Sequence, residues 1–206
     1  MRPSEPQLAV LILAAGSSSR LGSPKQLALY HGKSLLRRTL ESTLEADVGE
    51  VFVVTGAYRD RCLAELQGSS GAWTEIYNPD HSCGMGRSFK TALSWLISQR
   101  PELSAVIVTV CDQLFLEASH LRAIRSRAHD GHAWHLTASR YQEGWGVPAL
   151  IPQAYFAESL EISDHKGAKE LLMRYQSSLA WIDFFKGMND IDTLSDVEIH
   201  GLQLGL

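Results

Sequence analysis

Along the chain, the apolar run Leu8–Leu13, followed by Ala14, Ala15 and Gly16, shows neither a helical period nor an alternation with polar residues. That pattern predicts a strand buried on both faces, as in a parallel sheet. After Ser34 the pattern changes. Leu35, Leu36, Thr39, Leu40, Thr43 and Leu44 recur at helical spacing, and Ser34 is a suitable N-cap. A second strand follows from Val51, then a helix over 58–67 closed by Gly68, and a third strand stopped by Pro79. The helix opening at the glycines 84 and 86 places Phe89, Leu93, Leu96 and Ile97 on its buried side. A fourth strand, 104–113, ends in a cysteine, an acid and an amide, and a helix over 117–129 comes next. Beyond Gly131 the pattern is less regular, with short strands in 134–140, 146–151 and 179–184 and a helix over 167–176. Strand and helix alternate through the first two thirds. This predicts βαβ units, a mostly parallel sheet and an α/β fold. No repeat or linker divides the chain, so residues 1–206 are expected to form a single domain, with 1–7 a flexible tail.

Composition changes this picture little. The 206 residues are 45% hydrophobic and 20% charged, ordinary for a globular domain. Lysine and arginine total 19 against 23 acids, a net charge of -4. With no basic stripe, a nucleic-acid partner is not expected. The densest basic stretch, Arg122–His129, reads as the solvated face of a helix. Three cysteines, Cys62, Cys83 and Cys111, are too few and too irregular for a disulfide framework or a zinc site. No signal peptide or long apolar span is evident, so the cytoplasm is the expected location and no membrane association is expected.

In open α/β sheets, ligands bind beyond the carboxyl ends of the strands, so the residues just after each strand carry the candidate chemistry. The first such loop reads GSSSRLGSPK from Gly16. Its small residues allow close approach of backbone, and its N–H groups, with Arg20 and Lys25, suit phosphates. A plain surface loop is the alternative. The spacing matches neither a Walker A loop nor the dinucleotide fingerprint. Asp112, directly after a buried strand, is placed either to bind Mg²⁺ through oxygen or to cap a turn. Asp190 and Asp192 flank the apolar Ile191, and one of them could complete a metal site with Asp112.

Together these segments resemble the MobA-like nucleotidyltransferases, and among them the molybdenum cofactor cytidylyltransferases. The resemblance rests on LAAGSSSRLGSPKQL from Leu13, GMGRSF from Gly84, CDQ from Cys111, GVPAL from Gly146 and NDIDT from Asn189, with a looser match at HKGAKELL from His165. It implies a Rossmann-like α/β domain, a mostly parallel sheet with helices on both faces. It also implies transfer of a nucleotide from an NTP to a phosphate, with release of pyrophosphate. For the most similar branch the NTP is CTP and the acceptor is molybdopterin carrying molybdenum. LAAG, in place of the LAGG of the guanylyl branch, favours cytosine. On this resemblance Ala14, Ala15 and Gly16 contact the base, and Gly86 and Ser88 face it. Arg20 and Lys25 hold the triphosphate. Asp112 binds Mg²⁺, with Asp192 as second ligand and Asp190 in reserve.

The chain departs from the family pattern at three positions. Leu114 stands where proline follows CDQ, Phe89 replaces a leucine, and His165 replaces an aspartate in the segment associated with the acceptor. These leave two further readings: a transferase acting on a sugar or polyol phosphate, and a non-catalytic factor delivering cofactor to a molybdenum hydroxylase. Three histidines at 129, 132 and 135 read as a surface loop, Cys111 as a packed strand-end residue, and Trp145 as either a stacking platform for a flat ligand or a core tryptophan.

Overall fold

The computed structural model describes residues 7–18, 21–188, 191 and 194–204. Its elements run in chain order as β1 (Gln7–Leu13), β2 (Leu29–Tyr30), β3 (Lys33–Ser34), α1 (Leu35–Ala46), β4 (Glu50–Thr55), α2 (Arg59–Leu66), β5 (Trp73–Tyr77), α3 (Met85–Gln99) and β6 (Leu103–Val110). There follow α4 (Ala118–Ala128), β7 (Thr137–Tyr141), β8 (Gly144–Pro152), α5 (Phe156–Ser159), α6 (Ala168–Arg174), β9 (Ala180–Asp183) and α7 (Leu194–Ile199).

Seven of these strands form one sheet in the order β5-β4-β1-β6-β8-β7-β9. All neighbours pair in parallel except β8, which is antiparallel to both β6 and β7. The chain winds outward from β1 through β4 to β5, then crosses back to place β6 on the other side of β1. The sheet therefore changes direction between β1 and β6, where open α/β sheets form their ligand crevice.

The alternation of strand side chains explains why both faces are covered. On β1, Ala9, Leu11 and Leu13 join Val106, Val108 and Val110 of β6 against Phe89, Leu93 and Leu96 of α3. The intervening Leu8 and Val10 pack with Ala105 and Ile107 against Leu121 and Ile124 of α4, and Ile12 packs against Leu36 and Leu40 of α1. Helices thus lie on both faces, as expected. Ser34 caps α1 by accepting a hydrogen bond from the Arg37 N–H; on α4, Arg125 and Arg127 are exposed, while Arg122 donates to the carbonyls of Glu45 and Ala46 at the end of α1.

The structure corrects two sequence readings and adds one element. Gln7, assigned to a tail, is the first residue of β1 and pairs with Leu103. Ile97 is 38% exposed, because α3 turns its last apolar residue off the sheet. The β2–β3 hairpin carries no strand-like run of apolar residues and was not foreseen. No described helix is long and apolar enough to cross a membrane.

Away from the site, α4 buries an ionisable group. His120 of α4 is bonded through Nε2 to Ser139 Oγ at 2.8 Å and stacks on Phe184. Ser139 donates in turn to the Pro148 carbonyl, so the imidazole donates its Nε2 proton to Ser139. Burial lowers its pKa to about 4. Below the ordinary histidine pKa of about 6.5 the unfolded chain binds a proton that the folded chain refuses, so stability falls as pH drops toward about 4. Wild type is expected to lose about 2 kcal/mol through this group between pH 7 and pH 5. In urea unfolding, His120→Gln should lack that increment of pH dependence.

Candidate active site

A cleft of about 360 Å³ opens between the carboxyl ends of β1 and β6. One wall is the loop from Ala14 to Ser18, the other the first turn of α3, and Asp112 lies where β6 ends. The first loop is held by polar contacts that begin at Gln26. This side chain is only 1% exposed, and its Nε2 donates to the carbonyls of Ala14, at 3.0 Å, and Gly16, at 2.6 Å. Ser18 adopts a left-handed backbone, φ 51°. Its hydroxyl donates to Gln26 Oε1 and accepts from the Lys25 N–H, at 3.1 and 3.0 Å. Its carbonyl accepts from the N–H groups of Leu21 and Gly22. On the outer side, Tyr58 Oη donates to the Ser17 carbonyl. The loop is therefore shaped without any ligand.

Asp112 is 7% exposed. Its Oδ2 is paired with the Lys25 ammonium, and its Oδ1 is buried with no hydrogen-bond partner among the described residues. A carboxylate oxygen so placed carries a desolvation cost that a ligand would relieve. The backbone around it is braced by Gln113, whose Nε2 donates to the carbonyls of Val147, at 2.8 Å, and Gly187, at 3.3 Å. Ile191 is fully buried beside Leu21, Leu35 and Leu114, and its N–H meets the Asp112 carbonyl at 3.4 Å. A hard divalent cation fits this donor chemistry: an unpartnered carboxylate oxygen at a strand end, beside a cleft. Among the described residues, no cluster of three metal-ligating side chains accompanies it.

The predicted residues separate into three groups. Ala14, Ala15, Gly16, Lys25, Ser88 and Asp112 line the one cleft. Arg20, Asp190 and Asp192 lie outside the described residues. Gly86 is not among the cleft's lining residues. A Cβ on it would stand 2.1 Å from the Ser163 carbonyl oxygen, so the turn before α6 is packed onto α3 there. The same turn receives Arg87 and Lys90, which both pair with Asp164, and carries the exposed His165. Sequence reasoning missed Gln26 and Gln113, and also His81, which lines the cleft with a buried Nδ1 that has no partner among the described residues. Both amides lie inside quoted motifs, and nothing in a sequence distinguishes a buried amide from a surface one.

Cys111 is buried behind Asp112, against Ile12, Ala14 and Leu36. Burial, and then the negative charge of Asp112, push its thiol far above the ordinary range, so it is not a thiolate nucleophile. Leu114, in place of proline, fills the small core that seats Ile191. Trp145 is half-buried, edge-on to Trp181 with Lys169 above its ring. His135 pairs with Asp130 in a surface loop.

Residues 10–179 match the model of the MobA-like NTP transferase domain. The chain belongs to that family. Among curated proteins, the bifunctional protein GlmU of Bifidobacterium animalis is 30% identical over 118 residues, 56% of this chain. That match takes in 25% of the GlmU chain, so this protein spans a fraction of its relative's length. Among solved structures, Rv0371c of Mycobacterium tuberculosis in complex with manganese superposes with a TM-score of 0.73 at 21% identity, covering 94% of this chain and 97% of that one. CMP:2-keto-3-deoxy-manno-octonic acid synthetase complexed with CTP gives 0.70 at 14% identity, covering 96% and 98%.

Two substitutions test the site's scaffold. Gln26→Leu strands the buried carbonyl of Ala14, removes the donor to the Gly16 carbonyl, and should lower unfolding free energy by about 1–3 kcal/mol, read by denaturant titration. Gly86→Ala drives a methyl group into backbone and should cost a similar amount, about 1–3 kcal/mol, in the same measurement.

Proposed function

We propose that this MobA-like transferase is a Mg²⁺-dependent cytidylyltransferase that moves CMP from CTP to the phosphate of molybdenum-carrying molybdopterin. The observation that carries the transfer chemistry is the pairing of Lys25 with Asp112, whose second oxygen is buried, without a partner among the described residues, beside the strand-end cleft. A cation for phosphates and a carboxylate for metal are the two charges that nucleotidyl transfer needs in one place.

In this reading the backbone of Ala14, Ala15 and Gly16 and the hydroxyl of Ser88 hold the nucleoside. The positive end of α3 faces the triphosphate. Lys25 and Arg20 neutralise its charge. An oxygen of the acceptor phosphate attacks the α-phosphorus, the bond to the bridging oxygen breaks, and pyrophosphate leaves with the electron pair. The acceptor is already ionised near neutral pH, so no general base is needed. Asp112 and Asp192 would hold Mg²⁺, with Asp190 as the alternative, and the ion supplies positive charge at the α-phosphate. The seating of Ile191 against the Asp112 carbonyl supports drawing the second ligand from this segment.

Cytosine is favoured by the LAAG spelling and by the CTP complex of a fold neighbour. The molybdopterin acceptor rests on the resemblance of the motifs, and His165 marks the turn at which the acceptor is to be sought. A pure delivery factor for a molybdenum hydroxylase would have no use for the cation–carboxylate pair. At a hundred times its Kd, CTP with Mg²⁺ should stabilise the protein by about 2.7 kcal/mol. Asp112→Asn should cut pyrophosphate release about 10²-fold or more. A larger shift with GTP or UTP would reassign the base, and turnover only with a sugar or polyol phosphate would reassign the acceptor. Absence of pyrophosphate release with every nucleotide and acceptor would overturn the transferase.

A further inference from the structure

Resting on that reading of the site, we propose that Lys25 occupies the metal's place on Asp112 in the free protein, so that the divalent cation binds strongly only when a nucleotide draws the ammonium away. Asp112 cannot satisfy both cations through Oδ2. The carboxylate is almost fully buried, with side-chain exposure of 10%, and Lys25 itself is only 20% exposed. In such a setting a carboxylate left without its partner is costly, and two cations in contact with one oxygen repel each other at low screening. The ammonium therefore serves as the counter-charge of Asp112 until a better one is present.

The exchange is a movement of the Lys25 side chain. The Lys25 backbone is fixed by its N–H bond to Ser18 Oγ, and the next residue, Gln26, is the buried anchor of the loop. Lys25 lines the same cleft as the first turn of α3. Rotation about its four-carbon stem would carry the charge from the carboxylate to a phosphate in that cleft, with the backbone unmoved. A triphosphate supplies the competing anion, and the cation arriving with it takes the vacated oxygen together with the unpartnered Oδ1. Nucleotide and metal binding are then coupled through Lys25. By linkage, each should strengthen the other by a factor in the usual range of about 5–150.

The test is Mn²⁺ binding to the free protein, read by the electron paramagnetic resonance of unbound Mn²⁺, with no nucleotide and no turnover. Wild type should bind weakly. Lys25→Met should bind at least about tenfold more tightly, because its Asp112 has lost its internal counter-ion. Lys25→Gln serves if the methionine variant fails to fold, as judged by its unfolding transition. The gain should vanish when Asp112→Asn is added. Equal Mn²⁺ affinity in wild type and a folded Lys25 variant would overturn the exchange, as would a gain that survives Asp112→Asn. The nucleotide arm separates this from the proposed function. A Mg²⁺-dependent stabilisation of wild type by CTP without a gain in the Lys25 variant leaves the transferase standing and the exchange refuted. A gain in the variant without stabilisation by any nucleotide leaves the competition standing and removes the nucleotide reading.

Discussion

The parallel pairing of β1 with β6, in a register that sets Leu13 opposite Val110, is the constraint on which the site depends. It places the turn after β1 and Asp112 after β6 side by side at the point where the sheet reverses its winding. The pairing is held by burial on both faces, with α3 on one side and α1 and α4 on the other. Slipping this register by one residue would turn the apolar set of each strand to the opposite helix layer. It would also move Lys25 and Asp112 out of reach of each other. The core and the charge pair are thus two consequences of one alignment.

Buried amides do at the rim what apolar contacts do below it. Gln26 bonds the carbonyls that the first loop cannot satisfy within a strand, and Gln113 does the same across β6, β8 and the turn at Gly187. A loop rich in serine and glycine loses much entropy on ordering, and fixed polar contacts offset that cost. The loop therefore meets a ligand already shaped, which lowers the cost of binding. The left-handed Ser18 is part of the same device, since its side chain ties Lys25 and Gln26 together while its backbone turns the chain.

This pre-formed rim makes the charge pair informative. Where backbone is held, a lysine that pairs with a buried aspartate has only its side chain to move. In the exchange we propose, the site has two electrostatically balanced states, one closed by an internal ammonium and one by external phosphate and metal. The turn before α6 is built differently. The turn at 163–167 packs backbone-to-backbone on the glycines that open α3, and its exposed His165 and Lys166 contribute surface chemistry in place of core.

The sequence by itself determined the α/β class, nearly every strand and helix of the main sheet, and the motifs at the strand ends, because burial on two faces leaves unbroken apolar runs and amphipathic helices leave a 3.6-residue period. It also placed Lys25 and Asp112 among the candidates, since a strand-end position can be read from local pattern, whereas Ser88 entered only through the family resemblance. Tertiary structure decided what depends on neighbours distant in the chain: that Gln26 and Gln113 are buried, that Gly86 answers to a carbonyl at Ser163, and that His81 faces the cleft. It also decided that Lys25 closes on Asp112 across a sequence separation of 87. No local period records a hydrogen bond or an ion pair between segments so far apart. Such contacts exist only once the parallel strands have brought their carboxyl ends together.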